Sequence, residues 1–136
     1  MTEEIDAELE LLATTVVDSF YQVHKEMGPG LLESIYTNCL ISELQSRKLK
    51  ILQEVPVPLY YKNMLLPKDF RIDLLVENEI IIEIKAVETL NPVFAAQLIS
   101  YLKLTDKRIG FLVNFNVPKI KYGINRYVHN YKPKFS

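Results

Sequence analysis

Glu83 and Lys85 are two charged residues set two apart within an otherwise apolar segment, residues 80–86. Side chains alternate along a β-strand, so this spacing places both on the same face. Charges in a buried strand are costly unless they are paired or bind a ligand. The segment therefore indicates either a site that handles charge or a buried ion pair.

Asp73 lies in a second apolar segment, residues 70–76, and the two segments predict a β-hairpin around the turn at 77–79. A three-residue loop places Asp73 opposite Glu83, whereas a two-residue loop would place it opposite Ile84 and break the cluster. Facing carboxylates repel each other, and a divalent cation removes that repulsion. Hard oxygen ligands suit Mg²⁺ or Mn²⁺. The alternative is a buried Asp–Lys–Glu ion-pair cluster without a ligand.

Three polar residues on predicted helices could support such a site. Glu33 falls on a core-facing stripe near a helix start, as either a ligand-binding acid or an acid stabilised by the helix dipole. Gln97 and Tyr101 are four apart on a later helix and share a face. They are either ordinary helix surface or a support for the acidic site.

The helices and strands that must position these residues are predicted from the spacing of apolar residues and from the glycines and prolines that separate them. Gly28-Pro29-Gly30 separates two helices, and Asn91-Pro92 begins a third. Two prolines make the first strand an edge strand, and the continuous apolar run at 109–115 is typical of a strand covered on both faces. The predicted helices are 3–27, 31–48 and 92–104, the last with Asn91 as its N-cap, and the predicted strands are 51–61, 70–76, 80–86, 109–115 and 124–131.

These elements predict one α/β domain over residues 1–136, in the order ααβββαββ. A long N-terminal helix, 3–27, precedes a core at 30–131 with a mixed central β-sheet flanked by helices. One cysteine and two histidines argue against a disulfide framework and a structural zinc site. With no signal-peptide pattern and no apolar run of about 20 residues, we expect a cytoplasmic protein without a membrane span.

The formal net charge of −1 conceals an asymmetry. Residues 1–46 hold nine acids and one lysine, a net charge of −8, whereas residues 103–136 hold eight bases and one acid, a net charge of +7. The basic end could contact a nucleic acid. Alternatively, the two ends attract each other or only solvate the surface.

The segment Gly30-Leu31-Leu32-Glu33-Ser34-Ile35-Tyr36 resembles the motif of the GxxExxY protein family, within the PD-(D/E)XK nuclease superfamily. The resemblance runs from about Val16 to Tyr127. It departs at Ile72, where the motif has proline, and at Phe94, where many members have histidine. The other segments that carry it are Glu54–Val57, Phe70–Val76, Ile82–Glu88, Gln97–Lys103 and Gly110–Phe115.

The resemblance implies a restriction-endonuclease-like core and metal-assisted phosphodiester hydrolysis. Asp73 matches the motif aspartate, Glu83 and Lys85 match its ExK half, and Glu33 matches the acid of the preceding helix. These four residues would be catalytic. The implied ligands of Mg²⁺ or Mn²⁺ are Asp73, Glu83, Glu33 and the carbonyl of Ile84, and the implied supports of the site or of nucleic acid are Gln97, Tyr101 and Tyr36.

These residues are compatible with two functions, each belonging to a different class of protein. The first is a metal-dependent nuclease acting on DNA, and a homodimer would suit an enzyme that cuts both strands. The second is a non-catalytic nuclease-fold module, used for binding or regulation, that keeps the acidic cluster for structure. The complete set of acids with the lysine favours the first.

Overall fold

Five strands form one mixed β-sheet with helices on both of its faces. The computed structural model describes residues 5–67 and 70–129. The helices are α1 (Ala7–Met27), α2 (Glu33–Ser46) and α3 (Pro92–Thr105). The strands are β1 (Ile51–Val57), β2 (Tyr60–Tyr61), β3 (Met64–Leu65), β4 (Phe70–Val76), β5 (Ile80–Lys85), β6 (Ile109–Asn114) and β7 (Ile124–Val128), with a 3-10 turn at Ile120–Tyr122.

The sheet order is β1-β4-β5-β6-β7, which confirms the prediction that the first strand lies at an edge. Only the β5–β6 pairing is parallel among these neighbours, and α3 makes the crossover between the two strands. The predicted mixed α/β sheet flanked by helices is confirmed. In the part of the chain that the structure describes, no helix is long and apolar enough to cross a membrane.

Several predicted boundaries differ from the structure. Helix α1 begins at Ala7, not at residue 3, because the carboxylate of Asp6 accepts the N–H of Leu9 and caps the helix. Helix α2 is shorter than predicted at both ends. Residues 3–4 of the predicted first helix and 130–131 of the predicted last strand lie outside the described residues.

The predicted strand 51–61 is wrong in its second half. It ends at Val57, and Tyr60–Tyr61 pairs instead with Met64–Leu65 as a separate two-stranded hairpin. Pro58 has no N–H to continue the ladder. The loop residues Lys62 and Asn63 both have φ in the left-handed region, at 47° and 66°, as a tight two-residue hairpin turn requires.

Alternation along the central strands divides the core into two layers. On one face, Leu74, Ile82 and Ile84 pack with buried residues of α1 and α2. On the other face, Ile81 and Leu112 pack with buried residues of α3. Because Glu83 and Lys85 alternate with Ile82 and Ile84, they belong to the α3 face.

The β4–β5 hairpin has the three-residue loop that the sequence predicts. Leu74 lies opposite Ile82, and Val76 lies opposite Ile80. Glu77 and Asn78 in the loop have φ of 52° and 57°, and the N–H of Glu79 donates to the carbonyl of Val76. Continued by one residue, this register places Asp73 opposite Glu83.

Candidate active site

The ladder between β4 and β5 gives way to side-chain bonds at Asp73 and Glu83. The backbone N–H of Asp73 donates to Oε2 of Glu83 at 2.8 Å. The N–H of Ile84 donates to Oδ2 of Asp73, also at 2.8 Å. Each carboxylate thus takes a backbone donor from the opposite strand. The two acids are held face to face at the point where the strands separate.

Burial is the largest influence on the pKa of both acids. Glu83 is 5% exposed. Its burial, followed by the charge of Asp73, raises the pKa of Glu83 to about 8. Burial also raises the pKa of Asp73, although the bond from the Ile84 N–H and the charge of Lys85 oppose the rise. The pair therefore resists carrying two negative charges unless a cation is present.

Lys85 follows two residues after Glu83 at the end of β5. Its ammonium lies over the ring of Phe94 in the first turn of α3, with Nζ 4.2 Å from the ring centroid. Phe94 thus holds the only basic side chain of β5. The carbonyl of Lys85 accepts the N–H of Phe115, which extends the β5–β6 pairing beyond the strands. These contacts fix the direction of the lysine beside the two acids.

Glu33 is the first residue of α2 and its side chain is exposed. Beyond the larger effect of burial, its charge raises the pKa of Asp73, so Glu33 lies within electrostatic reach of the acidic pair. The helical face it begins is buried further along, as predicted, at Tyr36, Leu40 and Leu44. Glu33 therefore stands at the solvent end of a core-facing stripe.

Tyr36 connects the start of α2 to the loop before it. Its hydroxyl donates to the carbonyl of Gly28 at 2.6 Å and accepts the N–H of Leu31 at 3.1 Å. Its ring stacks on Phe115 with 4.7 Å between centroids and 8° between planes. Gly30 adopts a φ of 98°, which favours glycine. The glycine and tyrosine of the motif thus shape the loop and helix start that carry Glu33.

Gln97 and Tyr101 lie on the wall of an open groove along α3. Tyr101 is 3% exposed. Burial, followed by the charges of Glu83 and Asp73, raises the pKa of Tyr101 to about 12. Because both charges affect the pKa of Tyr101, its phenol lies near the two acids. Gln97 is half-buried one turn earlier on the same helix.

Two residues near the site had not been assigned a role from the sequence. Glu54 lies in β1 between the residues that pair with Leu74 and Ile72, and therefore across from Asp73, with φ at 50°. After burial and nearer charges, Glu54 also raises the pKa of both acids. In the sequence, a single acid in an exposed edge strand does not indicate that Glu54 lies near Asp73 and Glu83.

Asn114 is the second such residue. It is 3% exposed at the end of β6, and its side chain exchanges two hydrogen bonds with the backbone of Val87, at 3.0 and 2.9 Å. These bonds hold the segment after Lys85 against β6. A single polar residue at the end of a wholly apolar strand could have indicated this role.

Asp73 and Glu83 offer carboxylate oxygens of the kind that hard divalent cations prefer. Burial raises the pKa of both acids, and the charge of Asp73 raises that of Glu83 further, although Lys85 opposes both shifts. A bound cation would favour the charged form of both acids. Among the described residues, no group of three or more histidine, cysteine, aspartate or glutamate side chains is assembled to hold a metal. The donor set fits a divalent ion held by the two acids, with further positions left for backbone oxygen, water or substrate.

The mixed five-stranded sheet between helices, with a central hairpin that opens at an acidic pair and a lysine, is consistent with a nuclease-like fold. The sequence model of the PD-(D/E)XK nuclease superfamily matches residues 10–127. The chain therefore belongs to the PD-(D/E)XK nuclease superfamily, whose members typically use divalent metals. No curated protein and no solved structure shows significant similarity to the chain.

Proposed function

We propose that this protein is a Mg²⁺- or Mn²⁺-dependent nuclease that hydrolyses phosphodiester bonds in DNA. The observation that carries the proposal is the pair of opposed carboxylates, the half-buried Asp73 and the buried Glu83, with Lys85 beside them. A folded protein places two acids so close together and away from water at a cost, so their presence in a nuclease fold supports a functional site.

Asp73 and Glu83 would hold the ion, with the carbonyl of Ile84 as a further ligand and Glu33 binding it directly or through water. When bound, the ion would lower the pKa of a water molecule and offset charge on the phosphate. In the hydrolysis a water oxygen bonds to phosphorus, one ester P–O bond breaks, and the leaving oxygen takes up a proton. Lys85 would orient that water or stabilise the charge that develops on the phosphate oxygens.

Tyr101 and Gln97 would position a DNA phosphate or the acids themselves. The buried phenol of Tyr101 remains protonated at neutral pH, since its pKa is about 12. It can therefore act as a hydrogen-bond donor near the acids. Tyr36 would contribute indirectly, because its hydroxyl holds the loop before Glu33.

The motif geometry around Gly30, Glu33 and Tyr36 supports placing the chain in the GxxExxY group of the superfamily. We further propose that the chain is one domain, that it acts in the cytoplasm, and that it forms a homodimer. Size-exclusion chromatography with light scattering would test the last proposal, since a monomer at micromolar concentration would contradict it.

A non-catalytic, nuclease-fold module is the second candidate, and one observation favours it. Both carboxylates already accept a backbone N–H from the opposite strand. The acids could therefore serve to close the open end of the hairpin in a protein that binds or regulates without cleaving. In that case no divalent cation would be required for function.

The deciding experiment incubates plasmid and labelled linear DNA with the protein in Mn²⁺, Mg²⁺ or EDTA. Asp73→Asn keeps an acceptor for the Ile84 N–H but removes the charge, so the fold should persist. We expect Mn²⁺-dependent cleavage by the parent and a loss of about 10²-fold or more in Asp73→Asn and in Lys85→Met.

The matched control is Glu79→Gln, which removes an exposed acid at the loop end of the same hairpin. It should cleave like the parent. Equal cleavage by Asp73→Asn and the parent would refute the assignment of the site. No cleavage by the parent, in any of the metals and on any DNA form, would favour the non-catalytic module.

A further inference from the structure

An open groove with a volume of about 500 Å³ runs along α3 beside the candidate active site. This size lies within the range of small-ligand sites. It shares two residues with the site, because Phe94 contacts Lys85 and Tyr101 lies near the acids. Apolar side chains dominate the lining, including Leu59, Phe70 and Leu104, and the lining residues of the described chain are all uncharged.

Three polar side chains on one wall of this groove have no hydrogen-bond partner within residues 5–67 and 70–129. The hydroxyl of Tyr101 has no hydrogen-bond partner among the described residues, although the residue is 3% exposed. The side chains of Gln97 and Ser100 likewise make no hydrogen bond to any described residue. Buried polar groups in proteins are normally satisfied, so an unpartnered phenol that lines a groove indicates a ligand or water there. The groove thus suits a flat, largely apolar ligand with hydrogen-bonding edges.

The β2–β3 hairpin adds exposed aromatic rings beside the groove. Leu59, which lines the groove, immediately precedes Tyr60 and accepts the N–H of Leu66 across the base of the hairpin. Tyr60 and Tyr61 are 63% and 59% exposed. The ammonium of Lys62 lies 5.4 Å from the ring centroid of Tyr61. Rings as exposed as these on a two-stranded hairpin contribute little to stability, so another role is expected.

Cations therefore accompany aromatic rings both on the hairpin and in the site. Lys62 lies over Tyr61, and Lys85 lies over Phe94. An unpaired nucleic-acid strand presents the complementary features, since its bases stack on rings and its phosphates attract lysines. A duplex hides the faces of its bases, and an apolar protein partner would gain nothing from the lysines.

We propose that the α3 groove and the β2–β3 hairpin bind the unpaired bases of single-stranded DNA, which makes single-stranded DNA the preferred substrate. The inference rests on the proposed nuclease function and names its substrate class. One base enters the groove beside Gln97 and Tyr101, and a neighbouring base stacks on one of the two exposed rings, Tyr60 or Tyr61, which project from opposite faces of the hairpin. This arrangement brings the backbone of the same strand to Lys85 and the two acids.

The test measures the fluorescence anisotropy of a labelled DNA strand of about 12 nucleotides, a length typical of single-strand sites. The same strand annealed to its complement is the comparison, and EDTA prevents metal-dependent cleavage. We expect the parent to bind the single strand more tightly than the duplex. The double variant Tyr60→Ala/Tyr61→Ala should bind the single strand at least about fivefold more weakly, because each lost stacking contact has that effect or more.

Ala96→Phe tests the groove separately, because residue 96 is exposed on its wall and the larger side chain fills it. It should also weaken single-strand binding at least about fivefold. Tyr21→Ala is the matched control, since Tyr21 is 45% exposed on α1 on the opposite side of the sheet. It should bind like the parent. Urea denaturation of each variant verifies that the fold is retained.

Equal affinity for single strand and duplex would overturn the proposal, as would unchanged binding by both the hairpin and the groove variants. A dimer that Ala96→Phe dissociates would also overturn it, because the groove would then bind a second copy of the chain. Failure of the proposed nuclease function can be distinguished from failure of the groove assignment. Tight, variant-sensitive single-strand binding without any cleavage in Mn²⁺ would refute the nuclease and leave the groove assignment standing.

Discussion

Replacing Glu83 with glutamine should stabilise the protein without metal, and the gain should depend on pH. The pKa of Glu83 is about 8 in the folded protein, against an ordinary value of 4.5. Between these values the folded protein binds more protons than the unfolded chain does. Its stability must therefore fall as the pH rises, by about 1.4 kcal/mol per pH unit for one proton.

At pH 7, the interval of 2.5 units above 4.5 corresponds to about 3 kcal/mol. Glutamine can still accept the N–H of Asp73, but it carries no charge to desolvate. Glu83→Gln should therefore exceed the parent in free energy of unfolding by about 3 kcal/mol at pH 7, and by little at pH 4. Urea denaturation in EDTA across pH 4–8 measures this difference, with Glu79→Gln as the control.

The reasoning would be refuted if the parent kept a constant free energy of unfolding from pH 5 to 8. It would also be refuted if Glu83→Gln destabilised the protein equally at every pH. The first result would mean that the acids are not repelling each other in a desolvated site. The second would mean that the negative charge itself holds the hairpin together.

Three further predictions concern the metal, the motif tyrosine and a close backbone contact. Mn²⁺ should raise the melting temperature more at pH 8 than at pH 6, because the acids must release a proton to bind it, and Asp73→Asn should abolish the effect. Tyr36→Phe should lower the free energy of unfolding by about 1 kcal/mol in urea denaturation, since two backbone groups lose a partner, while Tyr21→Phe changes it little. Gly123→Ala should be strongly destabilising in the same assay, because its Cβ would clash with the backbone oxygen of Asn114; a free energy of unfolding like that of the parent would contradict this.

The sequence was sufficient for the parts of the site that depend on local pattern. Strand alternation placed Glu83 and Lys85 on one face, and the three-residue loop that aligns Asp73 with Glu83 is confirmed by the register. The apolar run at 109–115 also identified a buried strand, and two prolines identified the first strand of the chain as an edge strand. Each of these features is fixed by neighbours within a few residues along the chain.

Features that depend on long-range contacts could not be predicted. Glu54 acquires its relation to Asp73 only through the pairing of β1 with β4. The alternation through Tyr60 and Tyr61 fits a continuing strand, because a proline such as Pro58 is also compatible with an edge strand, and only the pairing with Met64–Leu65 identifies a separate hairpin. The cation–π contact of Lys85 with Phe94 likewise requires the packing of α3 on the sheet. The folding of the whole chain decides these contacts.

A crystal structure of the protein soaked in Mn²⁺, with anomalous scattering recorded, tests the central claim most directly. We predict one anomalous peak bound by carboxylate oxygens of Asp73 and Glu83, at roughly 2.0–2.6 Å as for hard divalent ions, and its absence in Asp73→Asn crystals. Carboxylates that keep their bonds to the backbone N–H groups, with no peak between them at millimolar Mn²⁺, would contradict the account.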